Sequence, residues 1–383
     1  MKLFLNLIAA NTGGQVTRAE AFLKRVHQHS PETQVIVLKQ SRSILELESG
    51  PYIKVINIDF IGNRLQSLQR LVWENTKLFN VLRDNDVDIY LSFSHYLPMK
   101  KLHVPALIAV SNLAPFCEQT IKLEKIWGRL RLRLLRLTII SSALKANGVI
   151  ALSKKCETVL IDHCVAAQRL KVIPNGVDPA EKSLEPCQLN GDDCGDYILA
   201  VSHFYRYKNF EQLIRAYAAL AEELRQRYRL KLVGIFYDQE YVDSLKSISR
   251  ALGVESYIDF IPGMNKKDMQ KTYSQATLFV FTSLIENCPN ILLEAMSFGV
   301  PTLSIDNEPM PEFGGQAVGY FPPNNVEYLS QSITTLLNDP IMLAKMAALA
   351  EKESKRFSWD TFTHEVMKYC YRINNTVNTS KGP

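Results

Sequence analysis

The sequence predicts an α/β protein made of two doubly wound, Rossmann-like domains, and three observations predict it. Short apolar, β-preferring runs alternate with helical stretches along the chain. At 383 residues the chain has room for two cores. The alternation pauses once, in a loop from Pro179 to Asp196 rich in Pro, Gly, Asp and Glu, which has the composition of a linker, and then restarts.

The first half opens on an apolar strand, Leu3 to Ala9. Asn6 and the following Thr-Gly-Gly favour this reading over the core of a signal peptide. A helix follows over about Val16 to His29, then a strand from Gln34 to Leu38, a helix near Gln66 to Arg83, and strands at Ile89 to Phe93 and Ala106 to Val110. A long helical region from Glu118 to Ala146 leads into the strand Gly148 to Ser153. Leu170 to Ile173 then closes the half at Pro174-Asn-Gly-Val-Asp178. After the linker come a strand at Tyr197 to Ser202, helix at Asn209 to Arg227, strand at Leu230 to Gly234, helix at Asp238 to Leu252, and strands at Tyr257 to Ile261 and Leu278 to Ile285. A helical stretch from Trp359 to Arg372 ends the chain, with a polar, frayed tail from Asn374. The domain reading is therefore 1–178, a linker at 179–196, and 197–358.

Composition excludes little. With 46% hydrophobic and 22% charged residues the chain is an ordinary globular one, and a formal net charge of +5 is too small to argue for nucleic acid. Seven cysteines form no CxxC pair and leave an odd count, so free thiols in a reducing, cytoplasmic setting are expected. No segment reaches the roughly 18 apolar residues that a membrane-spanning helix needs.

The chemistry concentrates in Glu286-Asn-Cys-Pro-Asn-Ile-Leu-Leu-Glu294. The strand before it delivers Glu286 to a carboxyl end. A helix from Asn290 or a neighbour to the Gly299 stop carries Glu294 one turn in. In open α/β sheets ligands bind at the carboxyl ends of strands, and a helix N-terminus offers amides to an anion. A phosphate on the amides of Asn290 and Ile291, with Glu294 accepting from a ribose diol and Glu286 reaching beyond the phosphate, suits a nucleoside diphosphate carrying a sugar. A second loop at a strand end, Val201 to Asn209, carries His203, Arg206 and Lys208 over the same sheet edge, where cations can neutralise a diphosphate. Asn11-Thr-Gly-Gly14 offers Gly13 and Gly14 for close backbone approach at the first strand-to-helix turn. It has neither the dinucleotide nor the P-loop pattern. Asp86-Val-Asp88 precedes a strand and marks a turn rather than a metal site, and no metal or cofactor is expected.

Taken in order, Pro174-Asn-Gly-Val-Asp178, the Lys208-Asn209 loop, Phe260-Ile-Pro-Gly263, the two glutamates with Glu294-Ala-Met-Ser-Phe-Gly-Val-Pro301, and Pro311-Glu-Phe-Gly-Gly315 resemble the motifs of the retaining glycosyltransferases of family four. The resemblance covers most of the chain and is strongest from about 170 to 375. It implies the GT-B fold, with a nucleotide sugar donor mainly on the second domain, a saccharide or lipid-linked acceptor mainly on the first, and a last helix that returns to the first domain. It also implies that Glu294 holds the ribose, Glu286 contacts the transferred sugar, and Lys208 stabilises the leaving diphosphate where other enzymes use a metal. Base contacts would fall near Gly263 and Met264. The chain departs from the family in two places: His203 stands where an arginine is usual, leaving Arg206 as a displaced substitute or His203 itself as a weaker donor, and Asn112 stands where a first-domain histidine is usual, leaving His95 as the nearest alternative.

Placed on one helix, Lys122, Lys125, Arg129, Arg133 and Arg136 share a narrow arc flanked by apolar residues, as an interfacial helix on an anionic membrane surface would arrange them. The reading is thus a retaining, metal-independent hexosyltransferase of surface polysaccharide or glycolipid synthesis, cytoplasmic and peripheral on the membrane. A sugar-nucleotide epimerase on the same fold and a non-catalytic partner subunit are the rivals.

Overall fold

The computed structural model describes residues 1–10, 13–60, 66–180 and 196–379. They form two compact units. The first holds Met1–Ile121, Lys125–Gly176 and the chain from Trp359; the second holds Val177–Ser358 together with Lys122–Glu124. Most of the linker, including Cys187 and Cys194, lies outside the described residues, and no disulfide joins the five described cysteines.

In the first unit the order is β1 (Lys2–Asn6), α1 (Gly14–His29), β2 (Gln34–Gln40), β3 (Ile53–Ile58), α2 (Gln66–Thr76), α3 (Leu78–Asp84), β4 (Ile89–Ser92), β5 (Ala106–Val110), α4 (Glu118–Leu123), α5 (Ile126–Lys145), β6 (Gly148–Ala151), α6 (Lys154–Asp162) and β7 (Leu170–Val172). The seven strands are parallel in the order β3-β2-β1-β4-β5-β6-β7. The inner strands are covered on both faces, which is why β4, β5 and β6 are buried at every position and read as unbroken apolar runs rather than alternating ones.

The second unit runs β8 (Tyr197–Val201), α7 (Phe210–Ala218), α8 (Glu222–Arg227), β9 (Arg229–Val233), α9 (Gln239–Ala251), β10 (Ile258–Ile261), α10 (Lys266–Ser274), β11 (Leu278–Phe281), α11 (Asn290–Ser297), β12 (Thr302–Ile305), α12 (Met310–Gly314), β13 (Gly319–Phe321), α13 (Val326–Leu337) and α14 (Pro340–Ser354). Its six strands are parallel in the order β10-β9-β8-β11-β12-β13. Both sheets therefore reverse winding beside their first strand, between β1 and β4 in one and between β8 and β11 in the other. These are the points where open α/β sheets leave a crevice at their carboxyl edge.

The last helix, α15 (Trp359–Thr379), packs on α1 in the first unit. Phe362 meets Phe93 at 5.9 Å, the Tyr369 hydroxyl donates to the Arg169 carbonyl at 2.6 Å, and Lys171 pairs with Glu365 at 2.5 Å.

Four expectations are corrected. The helix read from Asn209 to Arg227 is two, α7 and α8, parted between Ala218 and Glu222. The helix read from Gln66 to Arg83 is two, broken at Lys77. The region from Glu118 to Ala146 is also two helices, because Lys125 is extended at φ −64°, ψ 162°. Lys122 and Lys125 thus do not continue the face of α5. The tail read as frayed from Asn374 is helical through Thr379.

Candidate functional site

At the switch point of the second sheet, the loops after β8 and β11 come together. Residues Arg206–Lys208 form one 3-10 turn, and Asn209 follows in the left-handed region at φ 55°, a conformation that asparagine tolerates. That turn points Lys208 back over the sheet edge. Its Nζ lies 2.6 Å from Oε1 of Glu286, and both side chains are mostly covered, at 11% and 16% exposure. The loops are further tied together by the Thr282 hydroxyl donating to the Lys208 carbonyl at 2.7 Å and the Leu284 amide donating to the Tyr207 carbonyl at 2.8 Å. Asn307 adds a donor to the Leu284 carbonyl at 2.6 Å, fixing the loop that carries Glu286 from its other side.

Glu294 sits on α11, half-buried. Tyr273 from α10 donates to its Oε2 at 3.2 Å. Burial pushes the carboxyl up to about 7, opposed by the Tyr273 hydrogen bond and the Lys266 charge and reinforced by Asp178. The N-cap of α11 is Pro289, which supplies no side-chain acceptor. The Asn290 amide turns back to the Cys288 carbonyl at 2.9 Å. The positive end offered to an anion is therefore the amides that follow, beginning at Ile291, since the first turn of a helix has no intrahelical acceptor.

Arg206 goes elsewhere. Its guanidinium pairs with Asp238 at 3.3 Å and lies 5.5 Å from the Tyr241 ring centroid, so the structure does not bring it to the Lys208–Glu286 pair. His203 is exposed and meets Tyr237 edge-on at 5.1 Å. Partial burial of the ring, then the Lys208 charge, lowers its pKa against the opposing charge of Glu286. Gly263 is exposed, and a Cβ there would stand 3.0 Å from the Ile235 side chain. Met264 beside it is half-buried, with the Thr272 hydroxyl 3.4 Å from its sulfur.

The switch point of the first sheet carries a different kind of site. Asn11 and Thr12 lie outside the described residues; Gly13 takes φ 66°, which needs glycine, and Gly14 begins α1. Beside them a cavity of about 370 Å³ is lined by Gln15, Arg70, Glu74, His95 and Tyr96, among others. Glu74 is only 1% exposed; it pairs with Arg70 at 3.1 Å and accepts from Asn6 at 3.0 Å. Burial, helped by the Arg70 charge, lowers His95 to about 4, and its buried Nδ1 finds no hydrogen-bond partner among the described residues. Arg70 and Glu74 cancel in charge while His95 stays neutral. These few polar groups stand in a lining that Ala9, Leu71 and Leu135 make mostly apolar, a mixture that can take the hydroxyls and the apolar face of a sugar ring, in a volume within the usual range of small-molecule sites. Asn112 uses its side chain to accept from the Ala114 amide at 2.9 Å. Asp86 and Asp88 bind Lys2 at the opposite, amino-terminal edge of the sheet.

Two family models match this chain: Glycosyl transferases group 1 over residues 186–353 and Glycosyltransferase Family 4 over residues 12–181. The chain belongs to the glycosyltransferases that these two models describe, one model for each half. Among solved structures, this glycosyltransferase is similar to WaaG, a glycosyltransferase of lipopolysaccharide biosynthesis, with a TM-score of 0.73 at 18% identity over 97% of this chain and 99% of that one. It is also similar to Anabaena HepE in complex with UDP-glucose, with a TM-score of 0.70 at 18% identity over 99% and 100% of the two chains. These likenesses give it the GT-B fold. An uncharacterized glycosyltransferase of Haemophilus influenzae is 27% identical over 44% of this chain and 47% of its own length. The O-antigen chain mannosyltransferase B of Escherichia coli is 30% identical over 45% of this chain and 44% of its own. The glycosyltransferase thus spans less than half the length of these curated relatives.

Several residues of the site were not signalled by the sequence. Tyr273 holds Glu294 from 21 residues away, and Tyr205 stacks between Tyr207 and Tyr237 at 5.6 and 5.3 Å beside Lys208. Gly234 has a signal in hindsight, a glycine ending an apolar strand. Its φ is 156°, and a Cβ there would lie 1.8 Å from the Ser202 carbonyl oxygen, so the backbones after β8 and β9 can touch only because it is glycine.

Proposed function

We propose that the protein is a retaining, metal-independent glycosyltransferase that moves a hexose from a nucleoside diphosphate sugar to a hydroxyl of a saccharide or lipid-linked saccharide. Its setting would be surface polysaccharide or glycolipid assembly on the cytoplasmic side of a membrane. The observation that carries this reading is the Lys208–Glu286 pair at 2.6 Å, set at a switch point with Glu294 on the helix beside it. Lys208 and the first-turn amides of α11 provide fixed positive charge where the diphosphate gains negative charge. The bond from the sugar's anomeric carbon to the phosphate oxygen breaks and its electron pair leaves on that oxygen. The acceptor oxygen bonds to the same carbon on the same face, and its proton passes to the departing phosphate. Glu294 accepts from the ribose hydroxyls, and Glu286 orients the transferred sugar once the donor draws Lys208 toward its phosphates. The cavity beside His95, mostly apolar through Ala9, Leu71 and Leu135 with polar groups from Arg70, Glu74 and Tyr96, receives the acceptor sugar. The solved HepE complexes hold UDP and UDP-glucose, and several relatives are named mannosyltransferases, so UDP- and GDP-hexoses are the donors to test first.

A thermal-shift screen of these donors identifies the nucleotide, because a ligand of the native state raises apparent stability. Glu294→Ala is then expected to weaken donor binding, whereas Glu286→Ala lowers turnover at least about tenfold with a smaller loss of affinity. Unimpaired activity in both variants rejects the assignment. Release of an isomeric nucleotide sugar without any acceptor assigns the site to an epimerase instead.

A further inference from the structure

Lys39, in β2, is 6% exposed, alone among the described lysines in being buried. It forms no hydrogen bond or ion pair among the described residues. Lysine is almost never covered unless it is paired, because an ammonium group taken out of water without a partner is costly. The free protein therefore holds a positive charge that nothing in it answers.

Register and alternation place this charge. Asn6 of β1 sits beside Leu38 of β2, and its side chain donates to Glu74 of α2 at 3.0 Å. Gln40 shares that face: it donates to the Ile8 carbonyl at 2.7 Å and accepts from Gln66 of α2 at 2.6 Å. Successive side chains on a strand alternate, so Lys39 lies on the other face. That face belongs to α1, because the right-handed crossovers from β1 to β2 and from β3 to β4 run in opposite directions across the sheet. Lys39 is also at the carboxyl end of its strand. The Leu7 amide donates to the Leu38 carbonyl at 2.8 Å, so Lys39 stands where the chain of β1 leaves for the first turn of α1. In that turn the Gly14 and Gln15 amides have no acceptor among the described residues, and Gly13 at the N-cap supplies no side chain to cap them. Asn57, in register with Lys39 on the edge strand β3, is exposed on the same face.

We propose that Lys39, with the first-turn amides of α1, binds an anionic group of the acceptor, a phosphate or a carboxylate carried on the sugar that enters the cavity beside His95. An unpaired ammonium set beside orphan amides is completed by an anion, since a neutral hydroxyl cannot balance the charge. The cavity ties this anion to the acceptor. Gln15, in the same first turn, lines it, and its side chain donates to Ser111 at 3.3 Å. Arg70, the cation inside the cavity, is already held by Glu74 at 3.1 Å, so selection for charge falls to Lys39 across the turn. The tie to the acceptor rests on the cavity being the acceptor site; the anion site itself does not.

The test uses the full chain with its donor site saturated by a nucleoside diphosphate, so that added phosphate does not report on that site. The probes are inorganic phosphate and three sugars built on one ring: methyl glucoside, glucose 6-phosphate and glucuronate. Phosphate is expected to raise the melting temperature of the parent and not that of Lys39→Met. Without phosphate, Lys39→Met is expected to melt no lower than the parent, because it removes a charge that nothing pairs, whereas loss of a structural lysine would lower it. By calorimetry, one of the two anionic sugars is expected to bind at least about tenfold tighter than methyl glucoside, and which one it is separates phosphate from carboxylate. Lys39→Met should erase that preference while holding methyl glucoside within about twofold, and Lys39→Arg should keep part of it. Lys24→Met, at an exposed position on α1, should match the parent throughout. Phosphate that stabilises Lys39→Met as it does the parent overturns the proposal, as does an anionic preference that is absent in the parent or survives in Lys39→Met. Phosphate stabilisation lost in Lys39→Met while none of the three sugars binds supports the anion site and overturns its tie to the acceptor.

Discussion

Glu294 stands at about pH 7 between its two protonation states, because burial disfavours its charge more strongly than Tyr273 and Lys266 restore it. A ribose diol donates to a carboxylate and favours the ionised form, so donor binding and proton release are linked. Nucleotide affinity is expected to rise about tenfold between pH 6 and pH 8, and calorimetry in buffers of different ionisation heat should detect proton release near pH 6.5. The stability effect has the opposite sign. The folded pKa lies above the unfolded one, so between about pH 4.5 and 7 the native state binds the extra proton, and the contribution is lost as pH rises through the folded value. Glu294→Gln keeps an acceptor for the Tyr273 hydroxyl and removes the buried charge. It should therefore be more stable than the parent at pH 8, by an amount of order 3 kcal/mol, equal to it near pH 4, and flat in its pH dependence of donor affinity. A melting temperature at pH 8 below the parent's would show that the ionised carboxylate is instead stabilised in the free protein.

At the scale of elements, the position of Lys208 depends on how the chain leaves β8, and Gly234 at the end of β9 sets that path. A methyl group at Gly234 would lie 1.8 Å from the Ser202 carbonyl oxygen, so one backbone must move. Gly234→Ala is expected to cost about 2 to 4 kcal/mol and, in the fraction that folds, to weaken donor binding at least about tenfold by displacing the turn that carries Lys208. Donor affinity equal to the parent's, measured below the variant's melting temperature, would remove Gly234 from the positioning of that loop. The same turn shows what was legible in the sequence. Strand, acidic turn and helix around Glu286 and Glu294 are contiguous, and their spacing could be read directly. That Arg206 and Lys208 diverge could not, because the 3-10 turn and the left-handed Asn209 decide it, and the partners, Asp238 and Glu286, lie far along the chain. Strands β12 and β13 were missed because they are short, four and three residues, and carry Ser and Gly where alternation would be sought. The half-buried edge strand β3 was missed for a related reason: no full apolar run marks it. The break at Lys125 split a region whose periodicity had been read as one helix, and with it the basic arc.

In the whole molecule the two units are built differently from the chain. The second is nearly contiguous from Val177 to Ser358, and it contains Lys208, Glu286, Glu294 and the α11 N-terminus together with a core of its own. The first is closed only when α15 returns: Phe362, Val366, Met367 and Tyr369 are buried, and Phe362 lies against Phe93 at the carboxyl end of β4. A fragment spanning 177–358 is therefore expected to fold alone and to bind the nucleoside diphosphate within about threefold of the full chain's affinity, because binding groups held by one core need nothing from another. A fragment spanning 1–176 should leave the α15 docking surface open and aggregate, and joining residues 359–379 to it through a flexible linker should restore a soluble, cooperative unit. Thermal unfolding of the three fragments with and without nucleotide is the measurement. If 177–358 folds with a sharp transition that nucleotide does not shift, the donor groups named in this unit are insufficient, and the assignment of the nucleotide to Glu294 and the Lys208 loop fails with it.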